Sequence, residues 1–206
     1  MLRDWNTRFY PIIDTQICET RGLDPRAVAA ACFRGGARLL QIRVKAAGSA
    51  SFLALADDVV AAARTWDATV VVNDRPDIAR MAGAGGVHVG HDDLPPDAVR
   101  ALFGPGLIGL STHDERQVDE ALAAPIDYLA VGPIFETGTK DTGYGARGLR
   151  LVHYASGRGK PVVAIGGIDL ERAPEVIRAG ASAVAVISDL LRENPEHRTR
   201  AYLATV

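Results

Sequence analysis

Eight short apolar runs, separated by segments with helical spacing, constrain the fold of this chain more than any other feature. The runs are rich in Val, Ile and Leu, and they cover residues 9–14, 38–44, 69–74, 85–90, 107–112, 127–133, 161–167 and 183–188. Near-continuous apolar runs of this length are typical of parallel strands that are covered on both faces. Between them, segments such as 25–37 and 51–66 repeat Ala, Leu and Val at helical spacing and end near Gly or a polar turn. The sequence therefore predicts strict alternation of strands and helices around a parallel sheet.

Eight such units in 206 residues fit a closed (β/α)8 TIM barrel at the small end of its size range. An open, doubly wound sheet is the alternative, and it would call for a G-x-G-x-x-G segment after an early strand. The stretch after the first run, "IIDTQICETRG", contains nothing of that kind. With no linker or low-complexity tract, we expect residues 1–206 to form a single TIM-barrel domain.

Composition and charge exclude several classes of function. The formal net charge of −2 gives no electrostatic basis for binding nucleic acid, and no apolar run is long enough for a membrane span. The N-terminal residues carry an acid and lack the apolar region of a secretory signal. Cys18 and Cys32 lie 14 residues apart with no CxxC spacing, which favours two reduced thiols over a disulfide or a metal site. These features predict a cytoplasmic protein and leave open whether it forms a homo-oligomer.

Polar residues collect where each predicted strand ends, which is the edge at which barrels place their active sites. Gln41, Arg43 and Lys45 alternate along the second run, so an extended strand would point all three to one face. Two cations facing one way repel each other unless an anion lies between them, and the triplet therefore favours an anion site. For Lys45 alone, a solvated position in the following loop is an equal alternative.

Two acids follow the third and fourth runs. Asp74 ends the β-branched segment "TVVVND", and Asp93 follows the neighbouring strand. Carboxylates on adjacent strand ends, beside a basic group, suggest Mg²⁺ held by one or two carboxylates and by substrate phosphates. Either acid could instead cap the helix that comes next.

The last three runs end in groups suited to anions. "FETGTK" after the sixth run offers Thr137, Thr139 and Lys140, and "AIGGI" offers the backbone N–H groups of Gly166 and Gly167. Ile187 and Ser188 follow the eighth run, and loops after the last two strands form phosphate sites in many barrels. Two histidines differ in expectation: His88 lies inside a strand, where a hydrogen-bonded core role is favoured, whereas His113 stays a candidate for acid–base chemistry. No Ser-His-Asp or Cys-His arrangement is evident, so covalent catalysis is not indicated.

In order, these motifs resemble those of the thiamine-phosphate synthase family. The resemblance runs from "FYPIID" to "VAVIS" and includes "QIRVK", "VVNDRPDIA", "GVHVGHDDLP", "GLSTH", "DYLAVGPIFETGTK" and "AIGGI". It implies a cytoplasmic transferase that joins 4-amino-2-methyl-5-(diphosphooxymethyl)pyrimidine to a methylthiazole phosphate and releases pyrophosphate, with Mg²⁺ assisting. The implied contacts to the pyrimidine diphosphate are Gln41, Arg43, Lys45, Asn73, Ser111 and Lys140. Those to the thiazole phosphate are Thr137, Thr139, Gly167, Ile187 and Ser188, and the implied metal ligands are Asp74 and Asp93. Arg43, Lys45, Lys140 and Ser111 are the residues that the resemblance implies for catalysis.

Two departures from the family pattern stand out. Val44 replaces an acid that often lies between the Arg and the Lys, and His91 replaces a Gln that often precedes the second metal acid by two residues. Position 44 should face away from Arg43, which leaves the contact itself intact. Two alternatives stay open: a thiazole tautomerase of the sister branch, in which His113 could act, and a non-catalytic barrel that binds thiazole or phosphate for regulation.

Overall fold

The computed structural model describes residues 7–138 and 143–206, and its central feature is a ring of eight strands. The strands are β1 (Phe9–Asp14), β2 (Leu39–Arg43), β3 (Thr69–Asn73), β4 (Gly86–Val89), β5 (Leu107–Thr112), β6 (Tyr128–Val131), β7 (Val162–Ile165) and β8 (Ala183–Val186). Each strand pairs in parallel with the next, and β1 pairs with β8 through Phe9↔Val184 and Tyr10↔Ala185, which closes the barrel. The predicted (β/α)8 TIM barrel is confirmed.

Helices connect the strands on the outside of the ring. They are α1 (Thr15–Thr20), α2 (Pro25–Gly35), α3 (Ser49–Arg64), α4 (Pro76–Met81), α5 (Pro96–Phe103), α6 (Glu115–Ala123), α7 (Gly148–Ala155), α8 (Ala173–Arg178) and α9 (Pro195–Thr205), with a 3₁₀ turn at Asp189–Leu191. Across residues 7–138 and 143–206, no helix combines the length and apolarity that a membrane span requires.

Helix starts follow the local sequence. The carboxylate of Asp14 accepts hydrogen bonds from the N–H groups of Gln16 and Ile17 at the start of α1, and Asp24 does the same for Arg26 in α2. Proline occupies the first turn of α2, where its missing N–H would have had no helical partner. Asp14 thus ends β1 and caps α1 with no intervening loop.

The apolar residues separate into two clusters because side chains alternate along each strand. The inner cluster fills the barrel and includes Tyr10, Leu39, Val71 and Tyr128. The outer cluster, to which Ile42 belongs, lies between the strands and the helices. The inner cluster therefore fills the barrel behind the strand ends.

Candidate active site

A pocket of about 320 Å³ opens within the barrel mouth at the carboxyl ends of the strands. This volume suits a small ligand. The residues predicted from the sequence that line it are Gln41, Arg43, Asn73, Ser111, Thr137, Gly167, Ile187 and Ser188. Lys45, Asp74 and Asp93 form an adjoining cluster, and Thr139 and Lys140 lie outside the described residues. The structure thus brings residues from six strand ends to one cavity.

Alternation along β2 decides which of its side chains reach the pocket. Gln41 and Arg43 point inward and line it, whereas Ile42 and Val44 belong to the outer apolar cluster. Position 44 therefore faces away from Arg43, as expected, and Val44 packs behind the strand. Lys45 follows the end of β2, so the expectation that all three polar residues share one strand face holds only for Gln41 and Arg43.

Arg43 is paired with Asp14, which overturns the repulsion argument drawn from the sequence. The two residues are register partners at the ends of β1 and β2, and an Arg43 Nη1 donates to an Asp14 oxygen. The side chains of Arg43 and Asp14 are 12% and 3% exposed. Because Asp14 compensates Arg43 inside the protein, an anion is not required between Arg43 and Lys45. Arg43 still faces the pocket as a fixed donor.

Lys45, Asp74 and Asp93 form the adjoining cluster, which we call the acidic rim. Lys45 Nζ donates to Asp74, so Lys45 lies in the loop, as one alternative had it, but is ion-paired rather than merely solvated. Burial raises the pKa of the Asp74 carboxyl, Lys45 opposes this, and the neighbouring Asp93 carboxyl raises that pKa further. The Asp93 carboxyl is thus near enough to Asp74 to affect its pKa, and like charges at such a separation favour a shared cation.

Backbone geometry directs both carboxylates of the acidic rim. Asp74 adopts a left-handed conformation with φ +64°, which Asp tolerates better than most residues. Asp93 accepts a hydrogen bond of 2.7 Å from the Gly90 N–H, and Pro95 rather than Asp93 occupies the cap position of α5. Neither acid caps a helix through its side chain in the described part of the chain. The capping alternative is therefore wrong for both.

A glycine pair after β7 shapes the opposite side of the pocket. Gly166 and Gly167 have φ values of +102° and +63°, and a Cβ at Gly167 would lie 2.5 Å from the Glu136 carbonyl oxygen. Only glycine permits both this conformation and this approach. The loop after β6, with Thr137, consequently packs against the loop after β7, and Ile187 and Ser188 complete a cup lined by backbone and hydroxyl groups.

His88 combines a core position with a place on the pocket wall. Its Nδ1 lies 3.0 Å from Tyr128 Oη, and its Nε2 lies 2.9 Å from Ser111 Oγ. The predicted hydrogen-bonded core role is confirmed. Sequence reasoning missed that the same ring also supports Ser111, because β4 and β5 place them side by side only in three dimensions.

His113, the acid–base candidate, lies at the rim with its ring held on two sides. Nδ1 is 2.6 Å from the Gly132 carbonyl oxygen, which can only accept, so Nδ1 carries the proton. The ring stacks on Tyr144 at 4.4 Å between centroids. These contacts orient the imidazole beside the pocket, of which it is a lining residue.

Two arginines that line the pocket were not foreseen from the sequence. Arg172 donates to the Gly167 carbonyl oxygen at 2.9 Å and lies over the ring of Phe135. Arg192 lies 3.5 Å from Asp189 beyond β8. Both lie beyond the strand ends, and their signal in the sequence is a basic residue within a few positions of the glycine pair and of Ser188.

Comparison with known proteins matches most of the chain to the family that its motifs resemble. The family model described as thiamine monophosphate synthase matches residues 9–190. A thiamine-phosphate synthase of Chlorobium luteolum is 42% identical over 194 residues, covering 90% of this chain and 88% of that protein. One from Koribacter versatilis is 40% identical over 205 residues, covering 95% and 94%.

A solved structure agrees in shape as well as in sequence. The thiamine phosphate pyrophosphorylase from Pyrococcus furiosus superposes with a TM-score of 0.86 at 28% identity, covering 95% of this chain and 93% of that one. Residues 9–190, which the family model matches, contain every strand of the barrel and all the pocket-lining residues named above except Arg192. The chain therefore belongs to the thiamine monophosphate synthase family.

Proposed function

We propose that this protein is a thiamine-phosphate synthase, which joins 4-amino-2-methyl-5-(diphosphooxymethyl)pyrimidine to a methylthiazole phosphate and releases pyrophosphate. The observation that carries the proposal is the gathering of predicted substrate contacts from six strand ends into one pocket of a chain in this family. A cavity of about 320 Å³ has room for two small rings brought face to face.

The two substrates would occupy opposite sides of this pocket. Gln41, Arg43, Asn73 and Ser111 come from β2, β3 and β5, and we assign them to the pyrimidine diphosphate together with Lys45 and Lys140. Thr137, Gly167, Ile187 and Ser188 follow β6, β7 and β8, and we assign them, with Thr139, to the thiazole phosphate. Placing both reactants in one site removes much of the entropic cost of their encounter.

The chemistry explains why the pocket holds fixed donors. The electron-rich aminopyrimidine stabilises the carbocation left when the C–O bond to the diphosphate breaks, and the thiazole nitrogen then donates its electron pair to that carbon. The protein has to neutralise the departing charge, for which Arg43, Lys45, Lys140 and Ser111 are our catalytic candidates. Arg43 suits this task because Asp14 holds its guanidinium in place.

The acidic rim has the chemistry of a magnesium site. Asp74 and Asp93 supply neighbouring carboxylate oxygens. No cluster of three or more metal-binding side chains occurs within residues 7–138 and 143–206, so the protein would supply two ligands here. Two protein carboxylates complemented by phosphate oxygens and water match the usual coordination of Mg²⁺. When bound there, Mg²⁺ would supply positive charge to the diphosphate oxygens.

A direct assay tests the proposed function. The purified protein is mixed with both substrates and Mg²⁺, and pyrophosphate and thiamine phosphate are measured together. We expect equal amounts of the two products. Absence of both products, with each substrate shown to be intact, would refute the proposal.

The acidic rim offers a sharper test with a matched control. Asp74→Asn removes the charge but retains a side chain that tolerates positive φ, so we expect the fold to persist and pyrophosphate release to fall about 100-fold or more. Asp77→Asn is the control, because Asp77 lies three residues away, is paired with Arg75 and is 45% exposed. Near-normal turnover of Asp74→Asn at saturating Mg²⁺ would exclude the assigned role.

The alternatives from the sequence gain nothing from these observations. The relatives reported above are synthases, and the acidic rim has no function in proton exchange on a thiazole phosphate alone. Omitting the pyrimidine and following exchange of the thiazole proton tests tautomerase activity in the same preparation. Cytoplasmic location and a homo-oligomeric state stay predictions from the sequence.

A further inference from the structure

Five side chains form a continuous hydrogen-bonded row beneath the pocket, which we call the floor chain. Gln41 Nε2 donates to Tyr10 Oη at 3.1 Å, and Tyr10 Oη lies 3.0 Å from Tyr128 Oη. Tyr128 Oη lies 3.0 Å from His88 Nδ1, and His88 Nε2 lies 2.9 Å from Ser111 Oγ. Both ends of the row, Gln41 and Ser111, line the pocket. The row therefore connects two assigned pyrimidine contacts through the barrel interior.

Packing holds the middle of the floor chain in one arrangement. The ring of Tyr128 stacks on His88 and meets Tyr10 edge-on, with centroids 5.6 Å and 6.1 Å apart. Gly109 makes space for this contact, since a Cβ there would lie 2.1 Å from Tyr128 Cζ and 2.5 Å from His88 Nδ1. Both rings therefore pack directly against the backbone of β5 at Gly109.

Each tyrosine in the floor chain has one proton to give. Burial raises the pKa of Tyr10 and of Tyr128 above the ordinary value, so both phenols are neutral at physiological pH. Tyr10 Oη accepts from Gln41, and its remaining partner in the row is Tyr128. Donation to Tyr128 Oη gives the proton of Tyr10 a partner within the row.

We propose that Tyr10, Tyr128 and His88 are positioning residues that transmit hydrogen-bond direction from Gln41 to Ser111. Tyr128, having accepted from Tyr10, donates to His88 Nδ1. His88 is then the neutral tautomer protonated at Nε2, and it donates to Ser111 Oγ. The Ser111 hydroxyl proton is thereby directed into the pocket.

The floor chain makes the two ends of the row complementary. Gln41 Nε2 is committed to Tyr10. Among the described residues, no polar atom of Gln41 is both buried and without a partner. The Gln41 Oε1 therefore opens onto the pocket as an acceptor. Ser111 presents a donor. A ligand ring fits when it carries an amino group facing Gln41 and an atom with a lone pair facing Ser111. Reversing either end would require every bond in the row to reverse.

This polarity selects the amino form of a pyrimidine over its oxo counterpart. An oxo group would place an acceptor against Gln41 Oε1, and an unpaired buried polar group costs on the order of 10- to 100-fold in binding. The choice of ligand rests on the proposed synthase function, whereas the direction of the row depends only on the protein.

The first experiment measures the row without any ligand. The ¹⁵N shifts of the His88 imidazole report which nitrogen carries the proton, with His88→Asn identifying the signal among the five histidines. We expect the neutral form protonated at Nε2 at pH 7.5. A proton on Nδ1, or on both nitrogens, would overturn the proposed direction.

The second experiment compares two non-reactive probes by calorimetry. They are 4-amino-2-methyl-5-(phosphooxymethyl)pyrimidine and its 4-oxo analogue, and we expect the protein to bind the amino probe roughly 10- to 100-fold more tightly. In Tyr128→Phe the Tyr10 hydroxyl loses its acceptor, so the Gln41 amide turns its oxygen to Tyr10 and its NH₂ group to the pocket. The preference for the amino probe should then fall at least about tenfold.

Tyr202→Phe is the matched control, because Tyr202 is also buried and loses one hydrogen bond, to Asp189, outside the floor chain. It should keep the wild-type preference. Equal binding of the two probes by the wild type, or an unchanged preference in Tyr128→Phe, would overturn the proposal. Failure of the wild type to bind either probe contradicts the synthase function, and the His88 tautomer then decides on the floor chain alone.

Discussion

Removing the charge of Asp14 should cost far more stability than its cap position alone would suggest. In the wild type, an Asp14 oxygen accepts from the Gln16 and Ile17 N–H groups at 3.0 and 3.1 Å. The amide oxygen of Asn can accept the same two hydrogen bonds, so Asp14→Asn retains the cap of α1. What is lost is the partner of Arg43, which is 12% exposed. Breaking a buried pair costs about 3–5 kcal/mol. Arg43 opens onto the pocket, where water can reach it, so we expect a loss of about 3 kcal/mol.

Urea denaturation at pH 7 measures this loss against a matched variant. Asp24→Asn also keeps a helix cap, on Arg26 N–H, but Asp24 is exposed and compensates no buried cation, so its unfolding midpoint should hardly change. Equal losses in the two variants would refute the reasoning. Inorganic pyrophosphate should raise the Tm of Asp14→Asn more than that of the wild type, because the uncompensated Arg43 then gains an anionic partner.

Two glycine substitutions test the shape of the site. Gly167→Ala should lower thermal stability and weaken binding of a thiazole phosphate, because the new Cβ meets the Glu136 carbonyl oxygen. Gly157→Ala is the control, since Gly157 has φ +70° and open space around it. It should lose stability by backbone strain alone and bind the thiazole phosphate normally in a thermal-shift titration. Gly109→Ala should destabilise the fold by about 1–3 kcal/mol through overpacking against Tyr128, measured by urea denaturation; a neutral effect would show that the ring has room to move.

The strands were predictable because most are near-continuous apolar runs that end in polar residues or glycine. All eight were found: residues 9–14 and 107–112 match β1 and β5 in full, and the others are shorter than predicted by one residue or more. The predicted strand 161–167 extends furthest beyond β7 at its carboxyl end, where Gly166 and Gly167 leave the sheet and line the pocket. The glycine pair looks like strand in an apolar window, and only its positive φ values show otherwise.

Contacts across the barrel were beyond the sequence pattern. Asp14 was read as the end of a strand, and its role as the partner of Arg43 follows from the β1–β2 register. Tyr10 and Tyr128 lie in two predicted strands, and no pattern links them, since 118 residues separate two hydroxyls that closure of the ring brings within 3.0 Å. Position along a strand predicts which face a side chain takes, but the identity of its neighbour depends on how far strands shift against each other.

Pairing of β1 with β8 has a consequence for how the protein acquires its site during synthesis. Tyr10 stands near the start of the chain and Ser188 near its end, and the ring closes only when Phe9 meets Val184. A nascent chain that stops before residue 183 would hold Arg43, Asp74 and Ser111 without an enclosing wall. Premature termination should therefore release fragments that carry most of the reactive groups yet have no cavity in which to use them.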